Sequence, residues 1–337
     1  MDPHDATVPR GFVSTGELPP GDRVSDLLHR AHTRFRAVDD GTCSDVYPAL
    51  ARVDPALFAI AVTGVSGTRT SVGDIDRRFT LMSLSKPFVL ALVCESIGPE
   101  TVRERIGVDA TGRPFNSIEA VERSPHGRTN PMVNSGAIAT TALIPSSDLD
   151  HRWDFVVDGL SRFAGRPLEL DREVLGSALR TNERNRAIAR LLHSLGAITV
   201  DPDETVELYT RQCSLAVDVD DLAAMGATLA NGGTNPITGE VVVSPVVCHD
   251  VMAVMATAGM YDTSGTWLWR VGLPGKSGIS GGIVTVSPGK GGLGTFSPPL
   301  DHAGNSVRGQ LASEFLAAEL GLDVFATRPV DRPAITR

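Results

Sequence analysis

Strand-forming sequence in this chain gathers near its two ends, and helix-forming sequence fills the middle. Leu57 to Val65 and Thr68 to Val72 are β-rich runs on either side of Ser66-Gly67, the pattern of a hairpin. Far downstream, Ile279 to Ser287 and Leu293 to Ser297 are β-rich again, separated by the turn sequence P-G-K-G-G. Between them apolar residues recur at helical spacing, as in Arg184 to Leu195, Asp220 to Ala230 and Pro245 to Ala258. Asn231-Gly232-Gly233 supplies a C-terminal stop for the second of these helices. Further helices are predicted over Arg23 to Val38, with Val24, Leu27, Leu28, Ala31 and Phe35 on one stripe, and over Ser306 to Leu320. This order predicts an α/β (α+β) fold, an antiparallel sheet built from both chain ends and flanked by helices, with an inserted all-helical lobe. The expected division is a sheet lobe over 22–82 and 241–325, a helical lobe over 83–240, and loose tails at 1–21 and 326–337.

The first hairpin leads into F-T-L-M-S-L-S-K-P-F, residues 79–88, which contains the spacing Ser83-x-x-Lys86. A serine hydroxyl is a weak nucleophile and needs a base within hydrogen-bond reach. A lysine three residues on in a helix sits one turn along the same face. Pro87 is tolerated only in the first turn of such a helix, so Ser83 is placed at its start, where the positive end of the helix dipole favours an oxyanion. Downstream, Lys276-Ser277-Gly278 precedes the strand-like run from Ile279. S-x-x-K followed by K-[ST]-G is the signature of serine β-lactamases and penicillin-binding proteins, in which the second motif edges the site. Gly278 then leaves room for substrate, and the amide of Ile279 joins that of Ser83 in an oxyanion hole.

A length of 337 residues, 42% hydrophobic and 21% charged, describes an ordinary globular enzyme. The formal charge of -9 argues against nucleic-acid or anionic-membrane partners, which need basic patches. Cys43, Cys94, Cys213 and Cys248 have no C-x-x-C spacing, and the N-terminal residues have no basic start followed by an apolar run. A reduced, cytoplasmic location is expected. Gly289-x-Gly291-x-x-Gly294 matches a dinucleotide fingerprint only in letters, because it lies between two strands and opens no helix. Gly275-Lys276-Ser277 likewise lacks the context of a phosphate-binding loop. The histidines, with His29 and His32 the only close pair, show no metal-binding spacing, so neither metal nor cofactor is expected.

Further segments add to this: R-P-F-N-S-I, N-P-M-V-N-S-G-A-I, E-R-N-R-A-I-A, Y-T-R-Q-C-S, G-M-Y-D-T-S-G and L-P-G-K-S-G-I-S-G-G-I, with S-P-P-L-D-H-A-G-N-S-V-R-G later. In order and spacing they resemble the serine-dependent glutaminases, whose fold is similar to that of serine β-lactamases, and the resemblance spans residues 22 to 325. It implies that Ser83 forms a γ-glutamyl ester, that Lys86 takes the serine proton and that Tyr261 assists proton transfer. It also implies that Asn134, Asn185 and Tyr209 hold the amino-acid part of glutamine, and that the Ile279 amide binds the carboxamide oxygen. Homodimers or homotetramers are implied in the same way.

Three positions depart from the resembled pattern. Ala178 stands where the family usually has glutamate, Met82 where it commonly has glutamine, and Val46 where a tyrosine is found. Each lost hydrogen bond to a charged group is worth about 1.5 to 3 kcal/mol, so three weaken free glutamine by something like ten-thousandfold. Tyr47 is expected to point away along a strand, and Glu183 to lie on another helical face from Ala178. The leading expectation is a glutaminase-like amidohydrolase working through a Ser83 acyl-enzyme on a small-molecule amide, its preference shifted toward a modified γ-glutamyl compound. The alternatives are a catalytically idle homologue that binds a ligand or partner, and a β-lactam-reactive enzyme.

Overall fold

The structure, a computed structural model, describes residues 17–146 and 148–326. Of the two expected tails, residues 1–16 and 327–337 lie outside the described residues. Helix α1 (Gly21–Phe35) buries the stripe Val24, Leu27, Leu28, Ala31 and Phe35, as its period predicts. Strands β1 (Ala59–Gly64) and β2 (Arg69–Gly73) form the first hairpin. After β3 (Phe79–Thr80) come α2 (Ser85–Ile97), α3 (Pro99–Ile106), α4 (Ile118–Arg123), α5 (Asn134–Ala142) and α6 (Leu149–Ala164). Then follow β4 (Glu169–Leu170), α7 (Arg172–Arg180), α8 (Glu183–Ser194), α9 (Pro202–Cys213), β5 (Leu215–Val217), α10 (Val219–Ala230) and α11 (Pro245–Ala258). The chain closes with α12 (Ser264–Val271), β6 (Gly275–Ser277), β7 (Gly282–Ser287), β8 (Gly291–Phe296) and α13 (Val307–Glu319).

The two ends of the chain meet in one antiparallel sheet of order β2-β1-β8-β7-β6. Its central pairing joins β1 to β8, with Ile60 opposite Thr295. Alternation along β1 sorts side chains to two cores. Ile60 and Val62 pack with Ile283 and Leu293 against α1, α12 and α13, whereas Ala59 and Ala61 join Val284, Val286 and Phe296 in the core shared with the middle helices. Helix α10 lies directly on that inner face. A Cβ on Gly292 would stand 2.2 Å from the Ala223 carbonyl, and one on Gly294 2.7 Å from that of Val219. The glycines that mimic a nucleotide fingerprint therefore admit a helix against a strand.

The expected strand from Ile279 is corrected in part. Lys276 and Ser277 lie in edge strand β6, residues 278–281 form a turn, and β7 begins only at Gly282. Gly281 adopts φ 104, which breaks the strand there. Gly278 does not simply clear space for a ligand, because a Cβ there would meet the Leu81 carbonyl at 2.9 Å. That close approach seats the turn against the segment carrying Ser83. A small sheet of order β3-β5-β4 ties the same segment to the helices; strands of two or three residues are too short to show a period. Among the described residues no helix is long and apolar enough to cross a membrane.

Candidate active site

Ser83 sits in a single 3-10 turn, Met82–Leu84, between β3 and α2. The expected helix start is thus shifted by two residues, with Pro87 in the first turn of α2 as its ring requires. Met82 has φ 47 and Tyr261 φ 55. Left-handed backbone is costly for both, and strain of this kind concentrates where side chains are held for chemistry. α2 is apolar on nearly every side and buried from Ser85 to Cys94, so Ser83 stands at the end of a fixed rod.

Lys86 is 2% exposed. Burial pushes its amine down to about 7, opposed by neighbouring Cys213. Its Nζ donates to Asn134 Oδ1 at 2.8 Å and to the Met132 carbonyl at 3.2 Å. Tyr261 donates its hydroxyl to the Ser277 carbonyl at 3.2 Å. Burial pushes this phenol up to about 12, with the nearby Ser83 and Ser277 opposing. Phe115 packs on the ring with centroids 4.7 Å apart. Lys276, also fully buried, donates to the Ser277 carbonyl at 2.7 Å and lies 4.0 Å from the Tyr261 ring centroid. Burial and the nearby Lys86 push Lys276 well below its ordinary value. Two buried lysines beside one phenol stay neutral together far more readily than charged.

In front of Ser83 opens a cavity of about 100 Å³. Ser83, Asn134, Asn185, Tyr209 and Ile279 all line it, and Lys86 and Tyr261 are not among the lining residues. The seven residues singled out from the sequence are thus brought to one place. Val46, Met82 and Ala178 line the cavity too, Ala178 buried in its wall and Val46 51% exposed at its mouth. No Asp or Glu is among the described lining residues, and Arg184 stands at the rim. One expectation is corrected here: Tyr47 also lines the cavity, because residues 46 and 47 belong to no strand and need not alternate. Asn182, Thr210 and Cys213 were missed as lining residues. Asn182 sits three residues before Asn185 and Cys213 four after Tyr209, so helical neighbourhood could have found those two, whereas Thr210, next to Tyr209, gives no such signal. Among the described residues no His, Cys, Asp and Glu group of three or more is placed for a metal, and the four cysteines are free.

The structure thus gathers a cavity-lining serine, a buried amine lowered to about 7 and a buried phenol raised to about 12, the residue types that acyl transfer through a serine ester requires. A model of the glutaminase family matches residues 41–325. Glutaminase 2 of Yersinia pestis is 58% identical over 318 residues, 94% of each chain. The glutaminase of Brucella canis is 46% identical, covering 91% of this chain and 97% of that one. Among solved structures, a probable glutaminase ybaS superposes with TM-score 0.90 at 43% identity, covering 92% of this chain and all of the other. A Bacillus glutaminase superposes with TM-score 0.82 at 31% identity over 90% of this chain. Site, sheet and relatives agree: the chain is an amide hydrolase of the glutaminase family, with that family's β-lactamase-like fold.

Proposed function

We propose that this protein hydrolyses a carboxamide through a Ser83 ester, with L-glutamine to L-glutamate and ammonia as the reference reaction. The observation that carries the reading is a buried Lys86 amine, lowered by burial to about 7, one turn from a cavity-lining serine with Tyr261 nearby. At neutral pH Lys86 is poised to accept a proton and Tyr261, held near 12, is not. Lys86 takes the Ser83 proton as Oγ attacks the amide carbon. The amides of Ser83 and Ile279 hold the oxyanion, and Tyr261 hands a proton to departing ammonia. Water then opens the ester by the reverse order of proton transfers. A related structure, Mglu, was solved in a glutamate form, which agrees with a γ-glutamyl product side for this family.

The finer reading concerns the α-amino group. Ala178, Met82 and Val46 give the cavity an aliphatic side, and its described lining carries no carboxylate to offset an ammonium. Asn185, Tyr209 and rim residue Arg184 remain to receive an α-carboxylate. We therefore assign the best substrate to γ-carboxamides whose α-nitrogen is acylated or missing. The test is ammonia release from L-glutamine beside Nα-acetyl-L-glutamine and 4-carbamoylbutyrate, with Ser83→Ala as control. Release that survives Ser83→Ala, or none from any amide, sinks the acyl-enzyme. Higher kcat/KM on free glutamine than on the other two sinks only the assignment of substrate.

A further inference from the structure

Asn134 positions Lys86, and Asn134 is itself held by a line of side chains running away from the serine. Asn134 Nδ2 donates to Asn185 Oδ1 at 3.0 Å, and Asn185 Nδ2 donates to Asn182 Oδ1 at 2.6 Å. Asn182 Nδ2 donates to Thr210 Oγ1, and the Thr210 hydroxyl donates to the Val206 carbonyl, both at 2.6 Å. With the Lys86 to Asn134 bond in front, five hydrogen bonds point the same way. The last acceptor is a backbone carbonyl of α9, which has no proton to return. Every member is buried, which strengthens each bond. The sense of the line is therefore set from Thr210 at its far end, while at its near end the Tyr209 hydroxyl also donates to Asn134 Oδ1, at 3.4 Å.

That sense matters because a neutral amine has two N–H groups and one lone pair. Both N–H groups are spent, on Asn134 Oδ1 and on the Met132 carbonyl. Only the lone pair remains for the Ser83 hydroxyl. If Asn134 turned its carboxamide round, its NH2 would face Nζ, and the amine could answer only with that same lone pair.

We infer that Asn182 and Thr210 are positioning residues that lock Asn134 with its carbonyl toward Lys86 and so keep the Lys86 lone pair free for Ser83. The inference rests on the reading of Lys86 as the base. Other titratable groups around Lys86 are Cys213 and Tyr209 on α9, Lys276 on β6 and Tyr261 ahead of α12. Burial raises the thiol and both phenols, which leaves these three uncharged near pH 7, and lowers Lys276. A kinetic limb near 7 is read as that of Lys86, the lysine one turn from Ser83.

The experiment compares Thr210→Val, Thr210→Ser and Asn182→Ala with wild type, using whichever of L-glutamine and Nα-acetyl-L-glutamine turns over faster. Thr210→Val keeps shape and removes the acceptor of Asn182. Its kcat is expected to fall ~10-fold or more, part of what a general base contributes, with KM changing less than about twofold. The acid limb of kcat should move to lower pH, because an NH2 turned toward Nζ disfavours the ammonium. Asn182→Ala should behave alike, and Thr210→Ser should restore both kcat and limb. A folded Thr210→Val or Asn182→Ala protein with unchanged kcat and limb, or with KM raised at constant kcat, overturns the inference. Should Thr210→Val not fold, Asn182→Ala decides the matter on the same readouts. Activity surviving Lys86→Met would instead overturn the base assignment itself.

Discussion

At the scale of single residues, the site depends on groups whose ionisation is set by burial. Among the described residues Lys86 has no carboxylate partner, and desolvation is the largest cause of its shift to about 7. Lys86→Met should therefore lower kcat by about 10² to 10⁴ while the protein stays folded. In wild type, kcat should rise with pH through about 7 as the ammonium loses its proton, because only the neutral amine accepts from Ser83. A profile flat from pH 6 to 8 would contradict that. Ala178 offers the complementary gain. It is 1% exposed in the cavity wall, so Ala178→Glu adds to that wall the carboxylate that the proposed reading finds missing for an α-ammonium. With a charge-assisted bond worth about 1.5 to 3 kcal/mol, the ratio of kcat/KM for free over acetylated glutamine should rise roughly tenfold to a hundredfold. An unchanged ratio would show that the α-nitrogen lies elsewhere.

Among elements, the contact of greatest consequence is α10 on β8. Gly292 and Gly294 let the helix backbone approach within a distance that no side chain permits. Gly294→Val should force helix and strand apart and lower the melting temperature by several degrees, in keeping with overpacking costs of about 1 to 3 kcal/mol. Calorimetry of the variant would check this, and a melting point equal to wild type would contradict it. A similar approach seats Gly278 under the Leu81 carbonyl. Gly278→Ala should accordingly move the Ile279 amide relative to Ser83 and reduce kcat more than KM, since an oxyanion contact exists mainly in the transition state. The Phe79 and Phe296 rings, stacked with centroids 4.2 Å apart, tie β3 to β8. They link the nucleophile turn to the centre of the sheet.

For the whole molecule, the buried lysines make stability depend on pH in the same direction as acid denaturation but in a window well above it. Lys86 and Lys276 bind protons more weakly folded than unfolded. Between about 7, the folded value for Lys86, and the ordinary lysine value of 10.5, the unfolded chain holds more protons. Stability should rise with pH through that window. Thiols and phenols impose a ceiling, because burial raises Cys94, Cys213, Cys248, Tyr47 and Tyr209 above their ordinary values. Above the ordinary thiol value of 9.0 the unfolded chain ionises first, and stability should fall. Urea unfolding at pH 7, 8, 9 and 10 should locate a maximum near 9, and Lys276→Met should flatten the rise. A maximum below pH 7 would mean that these lysines are not buried neutral.

Much of this was legible in the sequence, because local chemistry encodes it. Period-2 runs gave the two hairpins, period-3.6 runs gave helices such as α1 and α11, and S-x-x-K with K-S-G marked the Ser83 turn and the edge strand. The order of strands and helices was enough to bring both chain ends into one sheet. What the tertiary structure decided is everything that depends on approach between distant segments. It put Tyr47 in the cavity where strand alternation would have turned it away. It gave Gly278, Gly292 and Gly294 meaning through backbone atoms distant in sequence. It also drew Asn134, Asn185, Asn182 and Thr210 into one directed line. A side chain's hydrogen bonds and ionisation are set by what surrounds it in space, and sequence spacing records only its neighbours along the chain.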